Sequence, residues 1–400
     1  MYIGIVTYYL DIGGVEVVIE MLSKHFIEQG HQVEIIETLS KGRESNTFKG
    51  KGLSVKTITI NSLESQNHFA KRLANSLKKY DVLLLNNVPF VHYLLGLLRE
   101  ETIVLPILHN NIDEFYHNVL LNKNQWDSIV CVSPALEKIF KEMKEFNNEK
   151  IETIQNGIHV TQYYPKKREK TTDKISLLFV GRIEERQKGV LLLPKIISKV
   201  LEEKNTNKIH LKIIGEGESL KALKEAVKKA KLNSYISILG SLEHDKVLKE
   251  IHKADILIMP SYYEGQGLVY LEAMAQGTIP LVSHLKNNTD LVIQHKKNGF
   301  LCPIGDVDCF AEQILYLLDN PQEISSISKE AWNTAYTSLR SKIMANKYLE
   351  LINRVKENRT IIRSNRLEKI PYGELPCILV KFICLNNKIK RKIRVLFYED

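Results

Sequence analysis

Cysteine is scarce in this chain of 400 residues, and the long apolar runs of membrane proteins are missing. The five cysteines, Cys131, Cys302, Cys309, Cys377 and Cys384, form no C-x-x-C pair, so neither a disulfide framework nor a zinc site is indicated. No stretch reaches the roughly 18 apolar residues that a membrane-spanning helix needs. The N-terminus lacks the basic region and apolar core of an export signal. We therefore predict a cytoplasmic protein in a reducing compartment, neither exported nor transmembrane.

The sequence is also poor in clustered carboxylates that would hold a divalent cation against phosphate groups, and we predict no metal and no bound cofactor. Its net charge of +9 is unevenly distributed, because residues 359–400 contain ten Lys or Arg and only four Asp or Glu. This basic tail lacks the interleaved aromatic residues on which nucleic-acid bases stack. No nucleic-acid partner is predicted, although a basic nucleic-acid-binding protein remains the less favoured alternative.

Alternating strand and helix signals run along most of the chain and predict doubly wound α/β domains. Two domains are expected, since domains usually hold about 100 to 200 residues. A polar, charged segment at residues 164–174 has the composition of a linker between them. Strands are predicted near residues 2–7, 32–38, 53–60, 82–86, 103–108, 128–132, 151–154, 175–180, 209–214, 236–239, 254–259 and 279–282. Helices are predicted near residues 15–29, 66–79, 88–99, 134–144, 190–203, 268–276, 307–318, 321–335 and 341–357, with others ending near 231 and beginning near 244.

Residues 259–283, MPSYYEGQGLVYLEAMAQGTIPLVS, carry the most specific pattern in the chain. They predict a glycine turn, a short helix and a second strand. The helix is so apolar that Glu272 falls where a carboxylate is costly unless hydrogen-bond donors compensate it. Sugar hydroxyls or a ribose diol would supply two such donors, and a salt bridge to a neighbouring strand is the alternative.

A second carboxylate, Glu264, precedes Glu272 by eight residues, in a loop expected at the carboxyl edge of a parallel sheet, where such sheets bind ligands. The amides of Gly267 and Leu268 would open a helix whose N-terminus favours anions. The stretch EGQGLVYLEAMAQGTIPLVS resembles the signature of the retaining glycosyltransferases of family 4, the group 1 glycosyltransferases. Members of this family usually have an aromatic residue where this chain has Gln266.

The resemblance covers residues 1–357 and implies the GT-B fold, in which two Rossmann-like doubly wound domains face each other across a cleft. Residues 1–165 would then form the acceptor-side domain, and residues 166–340 would bind the nucleotide sugar in that cleft. Residues 341–358 would form a helix that returns to the first domain. Residues 359–400 lie beyond the resemblance as a basic extension.

Two motifs in the N-terminal half match positions that the family uses. The glycine turn at Gly13 and Gly14 would cradle a phosphate or would be a plain tight turn. His109 directly follows a predicted strand, and a lone histidine there is more often structural than catalytic. The resemblance implies that Gly14 contributes to donor binding and that His109 lies beside the transferred sugar.

The loop GRIEERQKG in the C-terminal half contains two cations, Arg182 and Lys188. These would neutralise a diphosphate or would be ordinary surface charge, and the resemblance favours the first interpretation. It further implies that Glu272 holds the ribose diol and that Glu264 holds the hydroxyls of the donor sugar. The remaining donor contacts would come from the helix start at Gly267, Leu268 and Val269.

These assignments predict a retaining, metal-independent glycosyltransferase, a hexosyl- or N-acetylhexosaminyltransferase. Its donor would be a nucleotide sugar, preferably a UDP-sugar, and its acceptor a glycan or lipid-linked glycan, as in polysaccharide biosynthesis. A nucleotide-sugar epimerase of the same architecture is the alternative, although it should lack the two spaced glutamates.

The tail at residues 375–397 interleaves apolar and basic residues. This pattern is typical of a segment attracted to an anionic membrane surface, and equally of a strand pair or helix packed on the body of the protein. The first interpretation would make the protein peripheral on the inner membrane face.

Overall fold

The computed structural model describes residues 1–11, 13–110, 119–120, 122–143, 150–165, 174–359 and 361–370. The chain forms two compact units. Unit 1 consists of Met1–Gln155 and Met344–Asp400, and unit 2 consists of Asn156–Ile343.

Unit 1 is built on a seven-stranded parallel sheet with the strand order β3-β2-β1-β4-β5-β6-β7. The central strands are short and mostly buried, as expected for a sheet covered on both faces by helices, whereas the edge strand at residues 54–57 has no buried residue. The order reverses direction at β1, which is the topological switch point of a doubly wound sheet. The strands are β1 (Tyr2–Thr7), β2 (Gln32–Glu37), β3 (Ser54–Thr57), β4 (Val82–Asn86), β5 (Ile103–Leu108), β6 (Ile129–Cys131) and β7 (Ile151–Thr153).

The described helices of unit 1 differ from the prediction at two places. A short helix that the sequence analysis missed follows β2, and the segment predicted as a helix at residues 88–99 is a 3₁₀ helix, Pro89–Leu97. Nearly all side chains of that segment are buried, so packing rather than an amphipathic stripe determines its conformation. The α-helices are α1 (Gly14–Glu28), α2 (Ser45–Gly50), α3 (Gln66–Leu77) and α4 (Pro134–Glu142). Ser133 caps α4 by accepting a hydrogen bond from the Leu136 amide, as predicted.

Unit 2 repeats the architecture with a six-stranded parallel sheet in the order β10-β9-β8-β11-β12-β13. Its core is formed by apolar side chains such as Phe179, Ile213, Ile258 and Phe300, which are buried between the sheet and its helices. The strands are β8 (Ile175–Val180), β9 (Ile209–Ile214), β10 (Ile236–Ile238), β11 (Ile256–Met259), β12 (Ile279–Ser283) and β13 (Phe300–Cys302). Two parallel Rossmann-like sheets confirm the predicted α/β fold class.

The helices of unit 2 place the loops of interest at the carboxyl ends of these strands. They are α5 (Glu185–Lys188), α6 (Leu192–Glu203), α7 (Leu220–Lys229), α8 (His244–Lys253), α9 (Leu268–Ala275), α10 (Val307–Asp319) and α11 (Glu323–Ser338). Helix α12 (Ser341–Asn358) follows, and the division between the units falls within its first turn. No helix in the described part of the chain is long and apolar enough to cross a membrane.

The predicted linker lies partly outside the described residues, since the structure describes its first two residues and its last. Tyr164 belongs to unit 2, because its hydroxyl lies 2.7 Å from Ser328 Oγ and its ring packs edge-on against Trp332. These contacts explain why the division between the units, after Gln155, precedes the predicted boundary at residue 165.

The first part of the basic extension packs on unit 1. The Arg363 side chain is buried and donates to the backbone oxygens of Thr102 and Arg99, and the Arg359 guanidinium lies 2.6 Å from the Asp127 carboxylate. Burial lowers the pKa of Arg363 to about 10. The predicted membrane-facing segment at residues 375–397 lies outside the described residues.

Cys302 and Cys309 form a disulfide, with their Cα atoms 5.7 Å apart. The expectation that the cysteines would form no disulfide was therefore wrong for this pair. Cys302 ends β13 and Cys309 lies in the first turn of α10, so the connecting turn brings two residues together that no C-x-x-C spacing links. Burial raises the pKa of the free Cys131 thiol to about 12.

Candidate functional site

Lys188 and Glu264, which the sequence places in separate loops, meet at the carboxyl edge of the unit 2 sheet. The Lys188 ammonium donates to Glu264 Oε1 at 2.7 Å, and Ser261 Oγ donates to the same oxygen at 2.7 Å. The Glu264 side chain is only 4% exposed and that of Lys188 is 17% exposed. Because Oε2 has no hydrogen bond to a described residue and is not fully buried, one oxygen of this carboxylate remains available to a ligand.

The loop that carries Glu264 is held by Asn288, which donates through Nδ2 to the backbone oxygens of Glu264 at 2.9 Å and Gly265 at 2.7 Å. No site residue was predicted in this segment. Asn287 forms the turn before Asn288, with a φ of 59°. Asparagine is one of the few side chains that tolerates this left-handed conformation, so the turn forms without glycine.

Helix α9 begins at this loop, with Gly267 as its N-cap and Leu268 and Val269 as its first residues. Among the described residues, no side chain caps this end of the helix. The first amides of a helix have no intrahelical acceptor, and here they open at the carboxyl edge of the sheet. The arrangement therefore provides donors for an anionic group.

Glu272 lies one turn further along α9, and its side chain is 9% exposed. Its partner is a histidine rather than the residue of a neighbouring strand that the alternative interpretation supposed. His244 Nε2, at the start of α8, lies 2.7 Å from Glu272 Oε1. His244 was not predicted as a site residue, because His244 precedes Glu272 by 28 residues and belongs to no recognisable motif.

Arg182 stands apart from this cluster. Its guanidinium lies 3.0 Å from Glu184 and also donates to Gln187 of the same loop, and 63% of its side chain is exposed. The structure thus brings Lys188 together with Glu264 but leaves Arg182 paired within its own loop.

Gln266, at the position where the family has an aromatic residue, fastens the loop to the start of unit 2. Its Oε1 accepts a hydrogen bond of 2.6 Å from the Asn156 amide. A phenylalanine ring has no oxygen to accept this bond, so Gln266 provides a connection to the Asn156-Gly157 turn. The Tyr270 hydroxyl is buried close to Gln266, and burial raises the pKa of this hydroxyl.

His109 lies at the carboxyl end of β5 in unit 1, where it is 6% exposed. Its Nε2 lies 2.9 Å from Asn86 Oδ1, while Asn86 Nδ2 approaches the backbone oxygens of Val6 and Leu84. With the amide oriented in this way, the ring donates through Nε2 and presents Nδ1 as an acceptor. Burial lowers the pKa of His109 to about 4, so the imidazole is neutral near pH 7.

Gly14 is the first residue of α1 and therefore contributes one of its open amides. Glu16 in the same turn is a candidate that the sequence analysis missed. Burial raises the pKa of its carboxyl group to about 7, and the nearby carboxylates of Asp11 and Glu44 add to this effect. The signal in the sequence was an acidic residue in the first turn of a helix, which on its own predicts only favourable interaction with the helix dipole.

The loop that precedes α1 is tied down by the buried carboxylate of Glu37. Its Oε1 accepts from the Leu10 amide at 2.9 Å and from the Gly42 amide at 2.7 Å. Ser45 Oγ and Thr57 Oγ1 add further bonds. This carboxylate is saturated by protein donors, so its function is to position the loop rather than to bind a ligand.

The chain contains one Asp-x-Asp string that the sequence analysis passed over, Asp306 and Asp308. Asp306 caps α10 by accepting from the Cys309 amide at 2.9 Å, and Asp308 lies 3.2 Å from Lys199. Within the described ranges, no group of three metal-ligating side chains comes together. Metal independence stays a prediction.

Two family profiles match consecutive parts of the chain. Glycosyltransferase Family 4 matches residues 12–162, and Glycosyl transferases group 1 matches residues 161–334. Among characterised relatives, N-acetyl-alpha-D-glucosaminyl L-malate synthase of Bacillus anthracis is 24% identical over 374 residues, which cover 86% of this chain and 94% of the relative. The GPI3 subunit of the phosphatidylinositol N-acetylglucosaminyltransferase of Saccharomyces cerevisiae is 25% identical over 290 residues, with 66% and 64% coverage.

Solved structures show the same fold at lower identity. HepE of Anabaena, determined with UDP-glucose, superposes with a TM-score of 0.76 at 15% identity and covers 88% of this chain and all of its own. TarM superposes with a TM-score of 0.74 at 13% identity, covering 88% and 98%. These neighbours share two parallel Rossmann-like sheets with this chain.

Proposed function

Since the chain belongs to the group 1 glycosyltransferases, we propose that it transfers a sugar from a UDP-sugar to a hydroxyl of a glycan or lipid-linked glycan, with retention of configuration and without a metal ion. The observation that carries this proposal is the pair of buried glutamates in unit 2. In Glu264 and in Glu272, one carboxylate oxygen accepts from a protein side chain and the other has no hydrogen bond to a residue that the structure describes. Carboxylates in this state match a ligand that is rich in hydroxyl groups.

The proposed donor contacts follow from the chemistry of each group. Glu264 accepts from hydroxyls of the donor sugar, and Glu272 accepts from the ribose diol. Lys188, Arg182 and the amides of Gly267, Leu268 and Val269 meet the charge of the diphosphate, which grows as the glycosidic bond breaks. Gly14 adds a further backbone contact. Several of the similar solved structures contain UDP or UDP-glucose, which supports a uridine nucleotide in the donor.

In the proposed reaction, the bond between the anomeric carbon and the phosphate oxygen breaks, and a bond from the acceptor oxygen to the same face of that carbon forms. The acceptor proton passes to the leaving diphosphate, so no protein nucleophile is needed. The role proposed for His109 is to contact the transferred sugar near the reacting carbon. As a neutral ring it would accept a hydrogen bond through Nδ1 rather than supply positive charge.

A donor screen tests the proposal. The full chain is mixed with UDP-, GDP- and ADP-sugars, and stabilisation against heat is measured for each. We expect the UDP-sugar to raise the melting temperature most. Release of UDP should then require an acceptor, such as a lipid-linked glycan, and should persist in excess EDTA. Release that needs added Mg²⁺ or Mn²⁺ would refute metal independence, and conversion of the sugar without an acceptor would indicate an epimerase instead.

The proposed cytoplasmic, peripheral location depends on residues beyond those described. A chain ending at residue 370 keeps the buried Arg363 and removes the interleaved apolar and basic segment. We expect it to retain donor binding and to lose sedimentation with vesicles of anionic phospholipid at low salt. Equal sedimentation of both chains would remove the support for membrane attachment through the tail.

A further inference from the structure

The carboxylate of Glu272 is held in an unusual way for a group so thoroughly buried. Among the residues that the structure describes, His244 is the one side chain that hydrogen-bonds or ion-pairs with it. No described Lys or Arg lies within 4.0 Å of it. A buried carboxylate normally has several donors or a cation, because desolvation of the charge is costly. The protein therefore supplies only part of what this carboxylate needs.

The geometry of the pair leaves defined positions for further donors. His244 Nε2 occupies one lone pair of Oε1, while Oε2 has no hydrogen bond to a described residue and is not fully buried. A carboxylate has about four acceptor positions, so one more hydroxyl can bind at each oxygen. Two neighbouring hydroxyls on one ring, as in a ribose, fit this pattern.

His244 is well placed to fix this orientation. It is the first residue of α8 and follows the loop after β10, whereas Glu272 lies on the adjacent helix α9. Without a partner, the carboxylate would be free to rotate about its terminal torsion, which is a broad and weakly restricted one. A single hydrogen bond from a neighbouring helix removes that freedom before any ligand arrives.

We propose that His244 is a positioning residue that holds Glu272 so that its carboxylate accepts both hydroxyls of a ribose, and that the pair makes the site discriminate ribonucleotides from 2′-deoxyribonucleotides. This inference rests on the proposed function of Glu272 and extends it to a residue outside the family signature. His244 acts through Glu272 and need not contact the nucleotide itself.

The experiment compares nucleoside diphosphates on the full chain. Of UDP, GDP and ADP, the one that binds tightest is titrated by calorimetry beside its 2′-deoxy counterpart. We expect the unaltered chain to prefer the ribonucleotide by about 10- to 150-fold, the range for a hydrogen bond to a charged group. The ratio of the two Kd values is the readout, because both nucleotides are measured on the same protein and a partly unfolded fraction cancels.

His244→Ala should reduce this preference by about 3- to 10-fold, through weaker binding of the ribonucleotide and little change for the deoxyribonucleotide. His244→Gln, whose amide can still donate to Glu272, should restore most of it. His210→Ala is the matched control, since His210 Nε2 also has one side-chain partner, Ser237 Oγ at 2.9 Å, on a different edge of unit 2. With a donor sugar, His244→Ala should raise KM more than it lowers kcat.

Glu272→Gln tests the binding of ribose by Glu272 separately from the positioning role of His244. If this change abolishes the preference and His244→Ala leaves it intact, the role of His244 is refuted while the ribose assignment stands. Tighter ribonucleotide binding by His244→Ala would also refute it, because the histidine would then compete with the ribose. If Glu272→Gln leaves the preference unchanged, or no diphosphate binds the unaltered chain, the proposed function of Glu272 itself fails.

Discussion

The carboxyl edges of the two sheets present different chemistry, although both sheets are parallel and doubly wound. The edge of unit 2 carries ion pairs, Lys188 with Glu264 and Arg182 with Glu184. The corresponding edge of unit 1 has an exposed ion pair of Asp11 with Arg43 and also presents the buried His109, which is neutral near pH 7. Its buried Glu37 is enclosed by protein donors.

The difference shows how similar folds are adapted to different ligands. A charged side chain with an oxygen that has no hydrogen bond to a described residue, such as Glu264, can bind a ligand that has charged groups and hydroxyls. A buried neutral histidine does not stabilise an anion by charge, but its unprotonated ring nitrogen can accept a hydrogen bond from a hydroxyl and so orient it. The proposed function accordingly assigns the donor nucleotide to unit 2 and neutral sugar groups to unit 1.

The largest expected effect comes from replacing Lys188, the cation that pairs with Glu264 in unit 2. Lys188→Ala should lower turnover by about 100- to 1000-fold, the usual loss when one preorganised donor to a developing negative charge is deleted. Acceptor affinity should change little. Steady-state kinetics with the donor that the screen identifies provide the measurement.

Lys195→Ala serves as the control, because Lys195 is an exposed lysine on α6 in the same unit. A loss of similar size in both variants would mean that general surface charge, and not the position of Lys188 at this edge, explains the result. Unchanged turnover in Lys188→Ala would contradict the assignment of this edge to the diphosphate.

Acid should lower the stability of unit 1 by protonating the buried His109. The pKa of His109 is about 4 in the folded state against an ordinary value of 6.5, so between pH 6.5 and pH 4 the unfolded chain binds more protons. Stability contributed by the neutral ring is present above pH 6.5 and is lost as the pH falls to 4, by roughly 3 kcal/mol for 2.5 pH units.

His109→Gln should remove this part of the pH dependence, measured as the difference in free energy of unfolding by urea across that window. His68→Gln is the control, since the His68 side chain is 74% exposed. His92 is buried with a pKa of about 4 as well, so some acid sensitivity should remain in His109→Gln. Identical pH profiles for the unaltered chain and His109→Gln would contradict the buried, neutral state of His109.

A smaller effect is expected from loosening the Glu264 loop. Asn288→Ala should destabilise unit 2 by about 2 kcal/mol, because two buried carbonyl oxygens lose their donor. It should also weaken donor binding, since Glu264 loses its fixed position. Asn287→Gly is the neighbouring control and should change stability by less than about 0.5 kcal/mol, since glycine adopts positive φ readily. Equal effects of the two changes would mean that the turn, and not the amide of Asn288, holds the loop.

The smallest expected effect concerns Glu16, the acidic exception on the edge of unit 1. Its pKa is raised to about 7 from 4.5, so the folded chain binds more protons between these values. The stability that this group contributes is present below pH 4.5 and is lost as the pH rises through 7. Glu16→Gln should therefore gain about 1 kcal/mol relative to the unaltered chain between pH 4.5 and pH 8, a figure reduced for the partial exposure of the side chain. A constant difference across that range would contradict the raised pKa.

Much of the fold could be predicted from local patterns. The strands Tyr2–Thr7, Val82–Asn86 and Ile175–Val180 have the bounds that the sequence predicts, because a short apolar run between turn residues has few other conformations available in a buried parallel sheet. The two spaced glutamates and the glycine turn were also visible, since they lie within one loop and one helix. All of these features are encoded by residues that are close together in the sequence.

The tertiary structure alone decided which distant residues meet. Lys188 and Glu264 are separated by 76 positions, and His244 and Glu272 by 28, and neither pairing follows from spacing or composition. The same holds for the contact of Cys302 with Cys309 and for the burial of Arg363, which the basic composition of the tail does not predict. Such contacts depend on how strands and helices pack in three dimensions, and burial then determines which charges are neutralised and which remain to bind a ligand. The sequence thus predicted which residues belong to the candidate site, and the packing within each unit selected the partners and protonation states of those residues.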